Sequence, residues 1–298
     1  MRLVFLGTGG SYPSPKRNVA STAIVKDSRT ILLDCGEGTQ RQLMRSSVSF
    51  MSVDKIFISH LHADHFLGVP GLIQSMKLNQ RTEPLEIYGP RGTRSMLETL
   101  VKLGYFRPDF DVISVDIEPT ALLRFSGYSI EALGVEHSIP ALGYRFQEDQ
   151  RPGRFDKPRA LELGVPEGPL FGELQKGQKV VVDGRTIHPE DVLGPPRRGR
   201  VLVYSGDTKP CLSVKEASKN ADVLVHESTF DQSMSEKAIE NDHSSVDMAA
   251  VLAKEAKVGK LFLVHISPRY DNVKPLLKTA RKIFPGTKIP RDMEEYTL

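Results

Sequence analysis

The feature that most constrains this chain is a cluster of histidines directly after a short apolar segment. Residues 55–59, KIFIS, are predicted to form a strand, and residues 60–65, HLHADH, follow without a break. A loop at a strand end can direct imidazoles and a carboxylate into one space, and such donors suit zinc. A single histidine is more often an ordinary surface or core residue, but this density favours a metal site. The predicted ligands in this loop are His60, His62, Asp64 and His65.

Three further polar residues stand at the ends of other predicted strands. His137 ends YSIEALGVEH, Asp207 ends RVLVYSGD, and His265 follows KLFLV. Each has an ordinary interpretation as a polar residue at a turn, but one loop cannot easily fill two metal shells alone. Because all three stand where an apolar strand meets a turn, we expect them to join the histidine loop in one metal centre.

The rest of the chain alternates predicted strands with predicted helices. Period-two and short apolar runs predict further strands at 2–6, 21–34 as a hairpin, 85–89, 112–117, 128–137, 200–207, 221–228 and 260–267. Apolar residues at helical spacing predict helices at 66–78, 94–104, 244–256 and 273–284. Sheets packed between helices are the natural arrangement for such a pattern.

Residues 147–199 depart from this pattern. Proline and glycine crowd them, helical periodicity disappears, and no separate second core is apparent. We therefore predict a single domain over residues 1–298 that carries an inserted arm at approximately 147–199.

Composition sets broad limits on the class of protein. Hydrophobic residues make up 39% of the chain and charged residues 26%, which is ordinary globular usage. The net charge of +3 is compatible with a polyanionic partner without indicating one. No signal peptide and no apolar run of about 18 residues is visible, so we expect a cytoplasmic protein with no membrane partner. Cys35 and Cys211 are expected to be buried as small apolar residues.

The histidine loop and the distant strand-end residues resemble the metallo-β-lactamase superfamily, whose motif is HxHxDH followed by His, Asp and His ligands. The resemblance spans almost the whole chain and implies an α+β fold, a four-layer αβ/βα sandwich with two metals at one sheet edge. It implies that His60, His62 and His137 hold one zinc ion, that Asp64, His65 and His265 hold the other, and that Asp207 bridges them. Asp34, in LLDCGEGTQ, matches the superfamily's early aspartate and is expected to orient a ligand without binding metal. Alternatively, Asp34 is only a turn-forming residue after a strand.

The predicted metal centre is compatible with several substrates, whereas two other motifs indicate a particular one. Residues 226–229, HEST, and 243–245, HSS, resemble the HEAT and HST motifs of the ribonuclease Z family, which processes the 3′ end of tRNA. We expect His243, held by Glu227, to protonate the departing ribose oxygen, and Asp64 to assist the nucleophilic water as a base. His243 has an alternative interpretation as a helix-capping residue. His226 is expected to support the site from outside it, or to be purely structural.

Two segments of the chain resemble the tRNA-binding parts of the short form of that family. The loop Pro13–Asn18 is similar to the PxKxRN motif, although Pro15 stands where lysine is expected, and it predicts substrate contacts by Lys16, Arg17 and Asn18. An ordinary solvated basic turn is the alternative. The arm, with GVPEGP at 164–169, is similar to the family's flexible arm and predicts tRNA contacts at Gly168 and Pro169. The resemblance also implies a homodimer in which one subunit's arm holds tRNA cut by the other.

The expected reaction is therefore zinc-dependent endonucleolytic removal of the 3′ trailer from precursor tRNA. Cleavage near the discriminator nucleotide would leave a 3′-hydroxyl on the tRNA, with two zinc ions per chain as cofactors. The first alternative is another hydrolase of this fold, a phosphodiesterase or arylsulfatase-like enzyme acting on small esters. The second is a non-catalytic RNA-binding protein, which the full set of seven candidate ligands disfavours.

Overall fold

A computed structural model of the chain describes residues 1–102 and 107–298. The strands in this part are β1 (Arg2–Gly7), β2 (Ser21–Lys26), β3 (Arg29–Leu33), β4 (Val53–Phe57), β5 (Leu85–Gly89), β6 (Val112–Asp116), β7 (Leu122–Phe125), β8 (Tyr128–Gly134), β9 (Leu142–Glu148), β10 (Val180–Val182), β11 (Arg185–Ile187), β12 (Val201–Tyr204), β13 (Val223–Glu227), β14 (Lys260–Val264), β15 (Thr287–Lys288) and β16 (Glu295–Thr297). The α-helices are α1 (Thr39–Arg45), α2 (Ala63–Phe66), α3 (Val69–Leu78), α4 (Thr93–Leu100), α5 (Lys157–Glu162), α6 (Pro169–Gln175), α7 (Leu212–Ala217), α8 (Ser235–Glu240), α9 (Val246–Glu255) and α10 (Lys274–Ile283).

Within the described residues, the strands form two seven-stranded sheets and a separate two-stranded ribbon. The first sheet has the order β16-β1-β2-β3-β4-β5-β6, the second has the order β15-β14-β13-β12-β9-β8-β7, and β10 pairs with β11. The first sheet is mixed, because β16 to β3 pair antiparallel and β3 to β6 pair parallel. In the second sheet β12 to β15 are parallel. Parallel neighbours end at the same edge, so polar residues that follow these strands come together there.

The two sheets meet through large buried side chains. Phe5 on β1 lies 4.9 Å from Phe262 on β14, and Phe57 on β4 lies 5.2 Å from Tyr144 on β9, measured between ring centroids. These side chains are fully buried, and each pair joins one sheet to the other. Aromatic pairs at such distances add to the stabilisation that burial of their area provides.

Helices cover the outer face of each sheet. Leu43, Leu72 and Leu97, on α1, α3 and α4, belong to one apolar cluster with residues of β1 to β5. A second cluster joins α7, α9 and α10 to β12, β13 and β14. The result is the four-layer sandwich, and the predicted α+β fold class is confirmed.

Most elements predicted from sequence periodicity lie where they were expected, with ends shifted by a few residues. The predicted helix 94–104 appears as α4, and its final residue, Gly104, lies outside the described residues. Six of the described strands were not predicted: β7, β9, β10, β11, β15 and β16. The sequence of β9, LGYRFQE, does alternate, with apolar Leu142, Tyr144 and Phe146 separated by Gly143 and Arg145, so its period of two was present in the sequence and was overlooked.

The chain divides into two compact units, of which the larger comprises Met1–Arg124, Ile130–Phe146 and Val201–Leu298. The smaller unit comprises Phe125–Ser129 and Gln147–Arg200 and contains α5, α6, β10 and β11. The expectation that the arm has no core of its own was wrong. Its helices of six and seven residues are too short to show helical periodicity, yet they enclose a small apolar cluster: Ala160, Val165, Leu174, Val180, Ile187 and Val192.

Two expectations about composition can be compared with the structure. Cys35 and Cys211 are both buried as free thiols, as predicted. Across residues 1–102 and 107–298, no helix has both the length and the apolar character that crossing a membrane requires.

Candidate active site

The histidine loop follows β4 and leads into the single-turn helix α2. Ser59 begins the loop, and its backbone N–H donates to Oδ1 of Asp34, which follows the neighbouring strand β3. His60 and His65 are buried, whereas His62 and Asp64 are partly exposed. The loop therefore presents some donors to the interior and others to the open side of the site.

Three histidines converge on one point. His62 Nδ1 lies 3.0 Å from His60 Nε2 and 3.2 Å from His137 Nε2. His137 reaches this point from the segment after β8. The three nitrogens are close enough for a single cation to contact all of them.

A second trio lies beside the first and shares a carboxylate with it. His265 Nε2 lies 3.3 Å from Oδ2 of Asp64, and His65 Nε2 lies 3.7 Å from the same oxygen. Asp207 Oδ2 is 3.1 Å from His265 Nε2, 3.3 Å from His65 Nε2 and 3.8 Å from His60 Nε2. Asp207 thus stands between the two trios. The structure brings together all seven residues that were predicted as ligands. The groups whose donor atoms lie close together include the two expected trios, and also His60 with His65 and Asp207, and Asp207 with His243 and His265.

The outward-facing ring nitrogens of four histidines have hydrogen-bond partners. Their Nδ1 atoms bond to Ser59 Oγ for His60, to Asp34 Oδ2 for His65, to the Asp242 carbonyl for His137, and to Thr229 Oγ1 for His265. Such partners fix the orientation of a ring and leave Nε2 as the donor toward a metal. Nε2 of His65 is a buried nitrogen without a hydrogen-bond partner. A cation would satisfy this atom, and the nitrogen and oxygen donors around it are those that zinc prefers.

Asp34 organises the buried side of the site. Its carboxylate accepts hydrogen bonds from Ser59 Oγ at 2.8 Å and from Tyr204 Oη at 2.6 Å, and it contacts His65 Nδ1 at 2.7 Å. Asp34 and His265 both have positive φ angles, 61° and 55°, which are uncommon for residues with a side chain. Backbone strain of this kind persists where the surrounding structure holds it, and it is concentrated at functional sites.

The protonation of the cluster follows from burial and charge. Burial lowers the pKa of His60 and of His62, so both rings are neutral donors near pH 7. Burial alone would raise the pKa of Asp64, but its hydrogen bond with His265 and the charge of His65 hold that pKa below its usual range. Burial is likewise outweighed at Asp207, whose pKa His265 and His65 lower. Both carboxylates are therefore ionised.

His243 and Glu227 form a closely bonded pair at the edge of the cluster. His243 Nδ1 lies 2.7 Å from Glu227 Oε1, and Glu227 also accepts hydrogen bonds from the N–H groups of Thr208 and Thr229. Burial favours the neutral form of His243, but Glu227 outweighs it and raises the pKa of His243 to about 9. The helix that follows begins after Ser245, so His243 does not cap it. His243 also lies near Asp207 and His265, which makes it geometrically able to act as a ligand.

His226 is buried away from the open side of the site. Its Nδ1 lies 2.8 Å from the carbonyl oxygen of Glu227, and its Nε2 has no hydrogen-bond partner. Burial lowers the pKa of His226, so the ring is neutral. These contacts allow it to support Glu227 from behind.

The predicted substrate-binding residues of the basic loop are all engaged within the protein. Lys16 Nζ pairs with Asp271 at 2.7 Å, and Asn18 Nδ2 donates to the Glu37 carbonyl at 2.9 Å. Arg17 donates to Thr8 Oγ1 at 2.5 Å and to the Pro290 carbonyl at 2.7 Å. In the smaller unit, Pro169 is the first residue of α6, and Gly168 precedes it with a φ of 141°. A Cβ built at Gly168 would have no neighbouring atom within 4 Å.

The sequence analysis missed several residues that support the site. Asp292 accepts hydrogen bonds from the backbone N–H of Thr8 at 3.2 Å and of Asn18 at 2.6 Å, and so ties both ends of the loop that lies between them. The N–H of Ser11, within this loop, donates to Asp64 Oδ2 at 2.7 Å. Thr229 could have been found from its place in the HEST motif, but nothing in the local sequence marks Asp292 or Ser11.

Comparison with known proteins gives one partial and several nearly full-length matches. A family model described as Anti-Pycsar protein Apyc1 matches residues 1–114, which include the histidine loop but none of His137, Asp207 and His265. The chain is 49% identical over 296 residues to Ribonuclease Z of Methanosarcina acetivorans, covering 99% of this chain and 97% of that protein.

Two solved structures resemble the whole chain. Human tRNase Z, short form, matches with 27% identity and a TM-score of 0.74, covering 100% of this chain and 99% of that one. The metallo-beta-lactamase fold protein YhfI from Bacillus subtilis matches with 20% identity and a TM-score of 0.72, covering 99% and 98% of the two chains. At that identity the second likeness concerns the fold alone.

Proposed function

This chain belongs to the ribonuclease Z family, and we propose that it is an endoribonuclease that removes the 3′ trailer from precursor tRNA. Cleavage near the discriminator nucleotide leaves a 3′-hydroxyl on the tRNA and a 5′-phosphate on the trailer. The observation that carries the proposal is the His243–Glu227 pair at 2.7 Å beside the cluster of seven His and Asp donors. A strong proton donor is needed when the leaving group is a ribose oxygen.

Zinc is the proposed cofactor, with two ions per chain. His60, His62 and His137 would hold one ion, Asp64, His65 and His265 the other, and Asp207 would bridge them. When bound, two such ions generate a nucleophile from water at neutral pH and stabilise both the attacking and the leaving oxygen of a phosphoryl displacement. The unpartnered Nε2 of His65 and the neutral rings of His60 and His62 support this assignment.

The protein's own residues move the protons. Asp64, ionised and oriented by the N–H of Ser11, is placed to accept a proton from the attacking water. Glu227 holds Nδ1 of His243, so that the opposite nitrogen, Nε2, carries the proton that passes to the 3′-oxygen of the tRNA. An in-line displacement requires the attacking and the leaving oxygen to lie on opposite sides of the phosphorus, so a separate base and acid serve the two oxygens.

The smaller unit is the proposed tRNA-binding arm, within a single catalytic domain that spans residues 1–298. Gly168 and Pro169 lie where α6 begins, and the open space around Gly168 allows a backbone to approach it closely. Folded RNA is often recognised by shape and by its phosphates, which suits such a surface. We propose that the enzyme is a cytoplasmic homodimer in which the arm of one subunit holds the tRNA that the other cleaves.

The test is incubation of the purified protein with a precursor tRNA that carries a 3′ trailer, beside bis-p-nitrophenyl phosphate as a small phosphodiester. We expect a product of mature length that poly(A) polymerase extends, because that polymerase requires a 3′-hydroxyl. Hydrolysis of the small diester without cleavage of the precursor would overturn the proposal in favour of an enzyme for small esters. Light scattering of the purified protein decides between monomer and dimer.

Metal analysis tests the cofactor separately. A gently purified sample is expected to hold about two zinc ions per chain. Removal of zinc by a chelator should abolish cleavage, and its return should restore it. A single ion per chain in a fully active sample would contradict the dinuclear assignment.

A further inference from the structure

A large groove lies along the basic loop, beside residues that contact the candidate active site. Its volume is about 1200 Å³, more than the roughly 300–1,000 Å³ of a pocket for one small ligand. Gly9 and Tyr12 line it, and Ser11 between them donates to Asp64. Ile266, the residue after His265, lines it from the other side. The groove therefore adjoins the residues next to Ser11 and His265, and its volume exceeds that of a site for one small ligand.

The walls of the groove carry exposed positive charges. Arg41 and Arg45 on α1, Lys274 at the start of α10, and Arg291 all line it and are exposed. Among residues 1–102 and 107–298, the side chains of Arg41, Lys274 and Arg291 have no hydrogen-bonding or ion-pair partner. These cations are thus available to an anionic ligand, and a row of phosphates is the ligand that several such cations along a groove fit best.

Basic side chains outnumber acidic ones in the groove. Six basic residues line it, Lys16, Arg17, Arg41, Arg45, Lys274 and Arg291, against two acidic ones, Asp271 and Asp292. Asp271 pairs with Lys16 at 2.7 Å, and Asp292 accepts hydrogen bonds from Thr8, Asn18 and Gln42. The groove therefore presents an excess of positive charge.

Two tyrosines add aromatic surface to the groove. Tyr12 is 62% exposed, and Tyr270 is partly buried with its hydroxyl accepting a hydrogen bond from the N–H of Asp231. Proteins that bind single-stranded nucleic acid combine a positively charged groove with aromatic side chains on which bases stack. Duplex RNA hides its bases within the helix and is read across a wide, shallow groove instead. Exposed tyrosine in a basic groove therefore favours an unpaired strand.

We propose that this groove binds the single-stranded 3′ trailer of the precursor while the scissile bond is in the active site. The inference rests on the proposed function. His243, which protonates the oxygen that stays with the tRNA, does not line the groove, whereas the loop that positions Asp64 does. The tRNA body belongs on the side of His243, and the groove is left for the strand that departs. Arg41, Lys274 and Arg291 contact its phosphates, and Tyr12 stacks on a base.

The test compares a groove variant with a matched control on precursors that differ only in trailer length. The groove variant is Arg41→Gln with Lys274→Gln. The control is Arg94→Gln with Lys278→Gln, which removes the same charge from exposed positions of α4 and α10 that do not line the groove. A trailer of one nucleotide leaves the groove empty, and a trailer of about ten nucleotides fills it, since such grooves hold roughly 4–16 nucleotides.

We expect the groove variant to raise KM for the long-trailer precursor about tenfold and to change KM for the one-nucleotide trailer less than about twofold, with kcat unchanged. The salt dependence of KM for the long trailer should become shallower by about 1.4 in log–log slope, about 0.7 for each lost phosphate contact with a single strand. The control variant should match the wild type on both precursors. Circular dichroism confirms that both variants are folded.

Direct binding gives a readout that is independent of cleavage. A fluorescent RNA of about ten nucleotides is titrated into zinc-depleted protein, and its anisotropy should report binding that weakens about tenfold in the groove variant alone. An equal rise in KM for both precursors would mean that the groove holds the tRNA body, and no change in either would mean that it binds no RNA; both overturn the inference. If the wild-type enzyme cleaves neither precursor, the proposed function has failed, and the anisotropy experiment still decides whether the groove binds RNA.

Discussion

Four of the five histidines in the candidate metal centre, His60, His65, His137 and His265, have one ring nitrogen held by the protein and the other turned to the cluster. For His65 the holding group is Asp34, a fully buried carboxylate that also bonds Ser59 and Tyr204. This arrangement selects the tautomer and the orientation of the ring before any metal binds. The roles of individual residues can therefore be separated by substituting one histidine at a time.

His62→Ala is expected to abolish cleavage of precursor tRNA while leaving tRNA binding almost unchanged. His62 supplies a donor to the first trio, but it makes no capping bond to α2 and is partly exposed, so its loss should not unfold the loop. Cleavage rates and gel shifts measure the two effects. A variant that cuts at the wild-type rate would show that the assigned centre is wrong.

His243→Ala is expected to slow precursor cleavage by about 10² to 10⁴-fold, the usual contribution of a general acid. Zinc content should be unchanged. Hydrolysis of bis-p-nitrophenyl phosphate should fall much less, because p-nitrophenolate leaves without a proton.

The same variant distinguishes an acid from a ligand. His243 lies within reach of Asp207 and His265, so a role in metal binding is geometrically open to it. A parallel loss of zinc and of both activities would show that His243 is a ligand. A loss of activity that is confined to the precursor supports the role of His243 as a general acid.

At the scale of elements, the turn after β1 is packed against the metal centre more tightly than any side chain would permit. A Cβ on Gly10 would lie 2.4 Å from the ring of His265, which real contacts do not allow. The loop that starts here is tied by Asp292 at both ends, so it has little freedom to move away. Glycine is required at this position because of the close approach and not because of an unusual φ.

Gly10→Ala is accordingly expected to displace His265 and to lower the rate of cleavage by about 10-fold to 100-fold. Losses of this size are usual when a metal ligand loses its support. The matched control is Gly172→Ala, in the middle of α6, where a Cβ would meet nothing within 4 Å. That substitution should raise the free energy of unfolding by ~0.5–1 kcal/mol, since alanine favours the helix. Zinc analysis, cleavage assays and thermal unfolding measure these effects. Equal activity of the two variants would contradict the argument.

At the scale of the whole molecule, chemistry and substrate positioning are assigned to different parts of the chain. All proposed ligands, Asp64 and the His243–Glu227 pair belong to the larger unit, and the arm belongs to the smaller one. The two ends of the arm lie close together, because Arg151 and Arg197 pair through two backbone hydrogen bonds of 2.9 Å at its base. A short glycine linker can therefore replace the residues between Pro152 and Pro196.

Deletion of Gly153 to Pro195 is expected to remove precursor cleavage while sparing hydrolysis of bis-p-nitrophenyl phosphate. The reason is that remote binding energy orients the scissile bond of a large substrate but plays no part with a small one. Zinc content and circular dichroism must first show that the shortened protein is folded. If the folded variant processes the precursor at an undiminished rate, the arm does not take part in tRNA recognition. If the folded variant loses both activities, part of the arm belongs to the catalytic centre.

Much of the fold could be predicted from sequence because its signals are local. β4 with the HLHADH loop, the hairpin of β2 and β3, and helices α9 and α10 each show their period or motif within a short window. β15 and β16 could not, since strands of two and three residues are too short to show a period. The core of the arm was also missed, because its six apolar residues are spread over short elements.

The candidate site divides in the same way. Local sequence was enough to select the His and Asp residues of the cluster, because four lie in the loop after β4 and three stand shortly after another apolar strand. The packing of distant elements was needed to show which ring nitrogens face inward, that Asp292 holds the loop beside Asp64, and that cations without partners line a groove along the basic loop. The bond between Thr8 and Asp292 joins residues 284 positions apart, and a contact over such a separation leaves no pattern in either local sequence. Local periodicity specifies elements, whereas the hydrogen bonds that orient a site depend on how distant elements pack.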